Sequence, residues 1–348
     1  MSKRQLNEST RIVRRKKKRR VRKRIYLILL PIVIVFVGIL SYASYLYIKA
    51  DSIFSSAFED DGREKSDLRE IPVDPTKDNV SVLIMGIDSS EKRGASEKSR
   101  TDALMVATLN KKENSIKLLS IPRDSLVYIP GVGYETKINH AHAYGGTTAT
   151  IDTVESLLDI PIDYYVKVNF EAFMEVVDAV GGITVDVPYE FKEQNSKDKA
   201  DAIHLLPGEQ KLNGEEALAL ARTRKKDSDI MRGQRQQEIM KAIIAKGVSV
   251  HGIMNIDDVI EAVGGNLTTN MRFGEMKSFI TYGTSGKSLD IETLTLDGSD
   301  YQPGRTYYYK LDELALGETK QTLQAHLDII DDPTLSSPTQ TTTGENPY

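Results

Sequence analysis

The chain has 348 residues and no cysteine, which excludes disulfides, thiolate nucleophiles and cysteine-based metal sites. Apolar residues make up 40% of it, enough for a sizeable core. The formal net charge of -4 hides a split: residues 1–24 hold thirteen Lys and Arg against one acid, Glu8, for a net of +12, so the remainder carries -16.

Residues 1–24 form a basic tail with no apolar period and read as disordered. Such a run can bind nucleic acid, but its position argues against that, and no nucleic-acid partner is expected. Residues 25–48 follow at once without a charged side chain. At about 1.5 Å per residue they span about 36 Å, enough to cross a hydrocarbon core of about 30 Å. Tyr26, Tyr42, Tyr45 and Tyr47 lie toward the ends of the stretch, as interfacial aromatics do. The run is too long for a typical signal-peptide core, and Ser41-Tyr42-Ala43 is a poor cleavage site, so it reads as an uncleaved signal anchor. The positive-inside rule puts residues 1–24 in the cytoplasm and the acidic remainder outside a single-pass cell membrane anchor.

Residues 49–78 read as a charged extracytoplasmic linker, with Pro72 and Pro75 before the fold begins. The folded domain is expected over residues 79–330, and the Pro/Ser/Thr/Gln-rich tail 331–348 is expected to be disordered. Three strands are predicted at 80–87, 103–109 and 116–121, with a turn at 111–114. If they pair in sequence they alternate in direction. The end of the first, the start of the second and the end of the third then share one edge. Asp88, Arg100, Asp102 and Arg123 gather there, with Asp124 next in the chain.

Further on, residues 137–146 form a polar loop or short helix. His140 and His142 are two apart, which suits a metal only on a strand. Helices are predicted at 148–158 and 170–180, the latter stopped by Gly181 and Gly182, and strands at 164–168 and 183–187. Residues 190–203 read as a polar loop and 206–213 as a turn, with Asn213 capping the helix that leads to Arg222. Helices follow at 256–263 and 271–282, a strand at 289–296, a short strand from about 307, and partial helix over 311–330. Strands interleaved with helices imply an α/β sandwich: a mixed central β-sheet flanked by helices, preceded by one transmembrane helix.

Residues 220–238 place Arg222, Arg224, Arg232 and Arg235 within fourteen positions. Asp229 can cap a helix over 230–246, with Gly247 just past its end. Arg232, Arg235 and Gln236 then share a face. Gly233 weakens that helix by about 1 kcal/mol against alanine. One reading is a charged helix surface paired with Asp227 and Asp229. The other is phosphate binding, because guanidinium forks take phosphate oxygens two at a time. Paired carboxylates hold Mg²⁺ (or Mn²⁺) through oxygen, and Mg²⁺ favours sites shared with substrate phosphates. Together they point to phosphate-ester or pyrophosphate chemistry outside the membrane, where a lipid-linked pyrophosphate is a more natural substrate than ATP.

The ordered motifs carry a resemblance. Gly86-Ile87-Asp88, Arg100-Thr101-Asp102, Ile121-Pro122-Arg123-Asp124, Lys137-Ile138-Asn139 with Gly145-Gly146, Val180-Gly181-Gly182, and Ala221-Arg222-Thr223-Arg224 with Arg232 and Arg235-Gln236-Gln237 resemble the LytR-CpsA-Psr family over about residues 79–247. The resemblance implies an extracytoplasmic phosphotransferase that moves a glycopolymer, such as teichoic acid or capsular polysaccharide, from an undecaprenyl pyrophosphate carrier to peptidoglycan through a phosphodiester. It implies Asp88 and Asp102 as Mg²⁺ ligands. Arg100, Arg123, Arg222 and Arg224 correspond to pyrophosphate-binding arginines, with Arg232, Arg235, Gln236, Lys137 and Asn139 in the same site. Asp124 is a candidate base. A lipid donor also predicts an apolar slot beside the arginines, near residues 170–180 and 239–244. The rival readings are a membrane-bound transcriptional regulator or attenuator, a label some relatives carry, and a hydrolase that releases the polyprenyl pyrophosphate to water.

Overall fold

The structure is a computed structural model and describes residues 3–87, 100–226, 228–249, 267–284 and 288–330. Helix α1 (Lys3–Ala57) runs unbroken through the basic tail, the apolar stretch and the start of the expected linker. The tail is therefore helical rather than disordered. Lys, Arg and Gln are good helix formers, and extending an existing helix avoids the cost of nucleation. Its segment Leu29–Ala57 is long and apolar enough to cross a membrane. The chain divides into two compact units, Met1–Ser52 and Ile53–Tyr348.

The second unit continues with β1 (Val80–Ile87), β2 (Thr101–Asn110), β3 (Ser115–Ser120), β4 (Leu126–Ile129), β5 (Tyr134–Lys137), α2 (His140–Leu158), β6 (Tyr164–Val168), α3 (Phe170–Ala179), β7 (Ile183–Val187), β8 (Phe191–Glu193), β9 (Ile203–Leu205) and β10 (Gly208–Leu212). Then come α4 (Gly214–Arg222), α5 (Asp229–Gly247), β11 (Leu267–Thr269), α6 (Phe273–Thr284), β12 (Asp290–Thr295), β13 (Gly298–Tyr301), β14 (Tyr308–Leu311) and α7 (Glu313–His326). The central sheet has the order β11-β6-β1-β2-β3-β12. Strands β1, β2 and β3 form the expected antiparallel meander. Strand β6 adds parallel to β1, β12 parallel to β3, and β11 antiparallel to β6, so the sheet is mixed as expected.

Strand periodicity sorts the apolar side chains onto two faces. Leu83, Met85, Leu104, Val106 and Leu119 pack on one side with Ile151 and Val154 of α2 and Leu323 of α7. Val82, Met105, Ala107 and Leu118 pack on the other with Met240 and Ile244 of α5 and Met276 and Phe279 of α6. A further cluster joins α3, α4 and α5 to β7 and β10 through Val177, Ile183, Leu212, Leu220 and Ile239. Helix α5 is pinned to the sheet. The Gln237 amide donates to the carbonyls of Leu118 and Leu294, at 2.8 and 2.6 Å. At Gly233 an added Cβ would lie 2.8 Å from Ser120 Oγ, which explains glycine inside the helix.

The expected linker is tied down beyond α1. The Arg69 guanidinium donates through Nε and Nη2 to the two oxygens of Asp163, at 3.0 and 2.8 Å. Glu59 N donates to Thr269 O at 2.9 Å. The expected loop at 190–203 contains β8, and the turn at 206–213 contains β10, which pairs with β7. In β10 only Leu212 is fully buried, so no apolar alternation marks the strand in the sequence. The predicted helix 256–263 and tail 331–348 lie outside the described residues.

His326 closes the core at the far end of α7. Its ring nitrogens meet the hydroxyls of Thr108 and Ser115, both at 2.8 Å, and burial pushes its pKa down to about 4. A folded pKa below the unfolded value of about 6.5 contributes stability that is present above that value and lost as pH falls toward 4. The contribution is on the order of 3 kcal/mol at neutral pH. Thermal melts of the full chain in detergent should show the parent losing stability faster than His326→Gln between pH 6.5 and 4. Parallel losses would exclude His326 as the titrating group.

Candidate active site

The edge predicted from the meander exists. Ile87 pairs with Thr101 across a register shift at the end of β1, which sets the start of β2 beside the end of β1. Arg123, just past β3, reaches back to Asp102, with Nη1 to Oδ1 at 3.2 Å. Asp88, the residue after β1, lies outside the described residues, and Arg100 is exposed at the entry to β2.

The arginine-rich corner is built by α4 and α5. A capping box of Asn213 and Glu216 starts α4. Gly214 lets α4 approach α3 at Met174, where a Cβ would collide with backbone. Arg222 ends α4 with its guanidinium carbon 4.8 Å from the centroid of Phe170, a cation–π contact that fixes its direction. Thr223 leaves the helix at φ -60° and ψ 140°, and exposed Arg224 follows.

Helix α5 is capped by Ser228, whose Oγ accepts from Met231 N, and not by Asp229 as expected. Serine and aspartate cap about equally well, so the serine leaves Asp229 free for the arginines. Asp229 Oδ1 lies 3.1 Å from Arg232 Nη1 and 3.7 Å from Arg224 Nε, and Oδ2 lies 3.5 Å from Arg123 Nε. Burial pulls the Arg232 pKa down to about 10 despite Asp229, so the group stays charged at neutral pH.

Arg235 departs from its expected place. It is buried under the end of α4, donating from Nε to Leu220 O at 3.2 Å and from Nη2 to Thr223 O at 2.5 Å. It satisfies carbonyls that the helix end leaves without intrahelical partners. Gln236 donates to the next one, Ala221 O, at 3.1 Å. These contacts support the Arg222–Arg224 turn from behind.

Asp124 holds Lys137 through Oδ1 at 2.7 Å, with Arg123 Nε 3.7 Å from Oδ2. Burial raises its pKa, but the Lys137 hydrogen bond and charge, with Arg123, outweigh this and leave it below the usual carboxylate range. The anion is held, so its proton affinity is low. Asn139 precedes α2, its backbone N donating to Arg123 O at 3.2 Å. His140 Nδ1 meets Thr136 Oγ1 at 3.0 Å, and His142 is buried. Among the described residues no three His, Cys, Asp or Glu side chains are grouped to hold a metal.

A cavity of about 380 Å³ opens at this edge. Its polar wall carries Asp102, Arg123, Arg222, Arg224, Arg232 and Gln236. Its apolar wall includes Ile84, Met105, Phe170, Phe173, Ile239 and Met240. The expected slot is thus lined by the start of α3 and the middle of α5, while Val177 and Val180 pack in the core. Arg100, Asp124, Lys137, Asn139 and Arg235 are outside the wall. Phe170 lies at the start of the expected slot, while sequence reasoning missed Glu193 as a wall residue and Asp229 as the shared partner of three arginines. The i,i+3 spacing of Asp229 and Arg232 was the available signal for the last.

The profile of the LytR_cpsA_psr family matches residues 44–325. A Bacillus subtilis (strain 168) protein, polyisoprenyl-teichoic acid–peptidoglycan teichoic acid transferase TagT, is 41% identical over 321 residues, covering 91% of this chain and 98% of its own. The solved structure of TagT bound to LIIa-WTA aligns with a TM-score of 0.66 at 42% identity, over 77% of this chain and 98% of that one. The LytR-CPS2A-psr family protein YwtF (TagT) with bound octaprenyl pyrophosphate lipid aligns with a TM-score of 0.61 at 38% identity, over 77% and 98%. With the matched profile covering most of the folded unit and the relatives matched nearly end to end, the chain belongs to the LytR_cpsA_psr family.

Proposed function

We propose that this protein transfers a glycopolymer of the teichoic acid class from a polyprenyl pyrophosphate carrier to peptidoglycan at the outer face of the cell membrane. The observation that carries the reading is one cavity with an arginine-rich polar wall and an apolar wall, which suits a pyrophosphate joined to a polyprenyl chain. TagT, similar in sequence and fold, is named for this transfer and has been solved with lipid-linked ligands. Helix α1 is the membrane anchor, and its basic end faces the cytoplasm by the positive-inside rule.

Arg222 and Arg224 hold the two phosphates from the α4–α5 turn, and Arg123 and Arg232 approach from the sheet and α5. The acceptor hydroxyl oxygen bonds to the sugar-side phosphorus while that phosphorus breaks from the bridging oxygen. Polyprenyl phosphate leaves with the bond electrons, and the hydroxyl proton passes to a carboxylate beside the arginines. Asp124 is a weak candidate for that role, because Lys137 and Arg123 stabilise its anion. Fixed guanidiniums facing the developing charge lower the barrier without reorganising. Asp102 sits on the cavity wall beside them, a hard oxygen donor of the kind Mg²⁺ shares with substrate phosphates. With Asp88 it would hold Mg²⁺ or Mn²⁺, which neutralises phosphate charge when bound.

The direct test gives the full chain a labelled lipid-linked donor and peptidoglycan. Label should enter the wall polymer as a phosphodiester. Phosphate release without acceptor labelling would favour the hydrolase. If deleting residues 1–20 with the anchor kept abolished wall-linked polymer, the regulator reading would gain.

Arg222→Lys and Arg224→Lys keep the charge and lose the fork. Each should cut transfer about ten- to a hundredfold, from a loss of roughly 1.5–3 kcal/mol, with little change in melting. Near-parental donor affinity and rate for both would remove the pair from the site. Arg235→Lys should do the reverse in part: loss of its carbonyl contacts should lower melting by the equivalent of about 1–3 kcal/mol. Unchanged melting would contradict its bracing role. For the cation, a Mn²⁺ titration followed by electron paramagnetic resonance, in the presence of polyprenyl pyrophosphate, should show weaker binding in Asp102→Asn. Equal binding would exclude Asp102 as a ligand.

A further inference from the structure

Exposed tyrosines crowd one surface beside the site. Tyr134 at the start of β5 and Tyr144 in α2 are 50% and 52% exposed, and Tyr307, just before β14, is 36% exposed. Exposed aromatic rings of this size in one patch mark a binding surface more often than chance exposure does. The Tyr134 hydroxyl donates to that of Tyr144 at 3.2 Å, and the Tyr144 ring stands edge-on to His140 at 5.9 Å. Lys137 Nζ lies 5.9 Å from the ring centroids of both Tyr307 and Tyr308. The Tyr307 hydroxyl is held by Asp300 Oδ1 at 2.8 Å. These groups come from separate elements, yet they share one anchor. Tyr309 N donates to Asp124 O at 2.8 Å, and Ser125 bridges Tyr309, so β14 is fastened to the segment that follows Arg123.

We propose that this tyrosine ledge is the platform on which the acceptor glycan strand of peptidoglycan lies; the inference rests on the transfer reading above. The surface combines rings that can take the apolar face of a pyranose with hydroxyl, ammonium and imidazole groups that can bond its edges. Position selects the acceptor over the donor. In an in-line displacement the attacking oxygen approaches opposite the leaving group. The leaving group here is the polyprenyl phosphate, whose chain occupies the apolar cavity. Asp124 and Lys137 are not part of the cavity wall and are joined to it through Arg123. The ledge is joined to these two residues, outside the wall that takes the leaving group, and so is left for the acceptor.

The test uses the full chain in detergent with lipid-linked donor and soluble glycan strands cut from peptidoglycan. Tyr134→Ala and Tyr307→Ala should each raise the strand concentration for half-maximal transfer about three- to tenfold, the scale of losing one aromatic contact. The maximal rate and donor affinity should hold within about twofold. Tyr134→Phe and Tyr307→Phe should stay near the parent, because the ring does the binding. An unchanged half-saturation overturns the proposal, as does a parallel loss of donor affinity, which would assign the ledge to the donor's sugars. If the parent links no polymer to the strands, the transfer reading fails by itself. Calorimetric binding of the same strands then still decides the ledge: binding lost in the double alanine variant supports it, and equal or absent binding overturns it.

Discussion

The site depends on one guanidinium held among three carboxylates. Arg123 leaves β3, touches Asp102 at the start of β2 and approaches Asp229 at the start of α5, with Asp124 as its chain neighbour. Among the described residues its buried Nε has no hydrogen-bond partner, the two carboxylates nearest to it being 3.5 and 3.7 Å away. An unsatisfied buried donor costs about 1–3 kcal/mol. The fold tolerates that here because the same group links the sheet edge to the helix that carries Arg232. Asp229 serves Arg123, Arg224 and Arg232 together, and so lets three cations crowd one opening before any anion arrives.

From this bracket the rest of the site follows in two directions. On one side, the cavity is lined by α3 and α5 and by Ile84 and Met105 of the sheet. On the other, the charges continue through Asp124 to Lys137 and the tyrosine hairpins. The scaffold keeps these directions apart by rigid means. Gln237 and Gly233 fix α5 on β3. Arg235 and Gln236 fix the α4 end from beneath. A pyrophosphate with a lipid on one side and a sugar on the other has the same polarity.

Much of the fold was legible because the core strands alternate or run apolar, and period two is a strong signal. Strand β6 and the meander follow from it, and pairing in sequence by itself places Asp102 next to Arg123. What the sequence hid has physical causes. Strand β10 buries little and shows no alternation. The basic tail looked like coil because it lacks an apolar period, yet a helix continuing from an apolar neighbour needs none. Arg235 shares its face, its residue type and its spacing with Arg232. Only the end of α4, fifteen residues earlier in the chain at Leu220, decides that it points to carbonyls instead of phosphate. Aromatic residues scattered between 134 and 309 gave no sequence pattern, since their proximity arises from the Tyr309–Asp124 contact.

If one cavity recognises both ends of a polyprenyl pyrophosphate, its affinity depends on each end. The most direct measurement is the affinity of the full chain for a series of ligands that vary one end at a time: polyprenyl pyrophosphate, polyprenyl monophosphate, a short-chain prenyl pyrophosphate and inorganic pyrophosphate. Both the second phosphate and the long chain should be needed, with affinity falling at least about tenfold when either is removed. Binding that is indifferent to chain length, or equal for the monophosphate and the pyrophosphate, would contradict it.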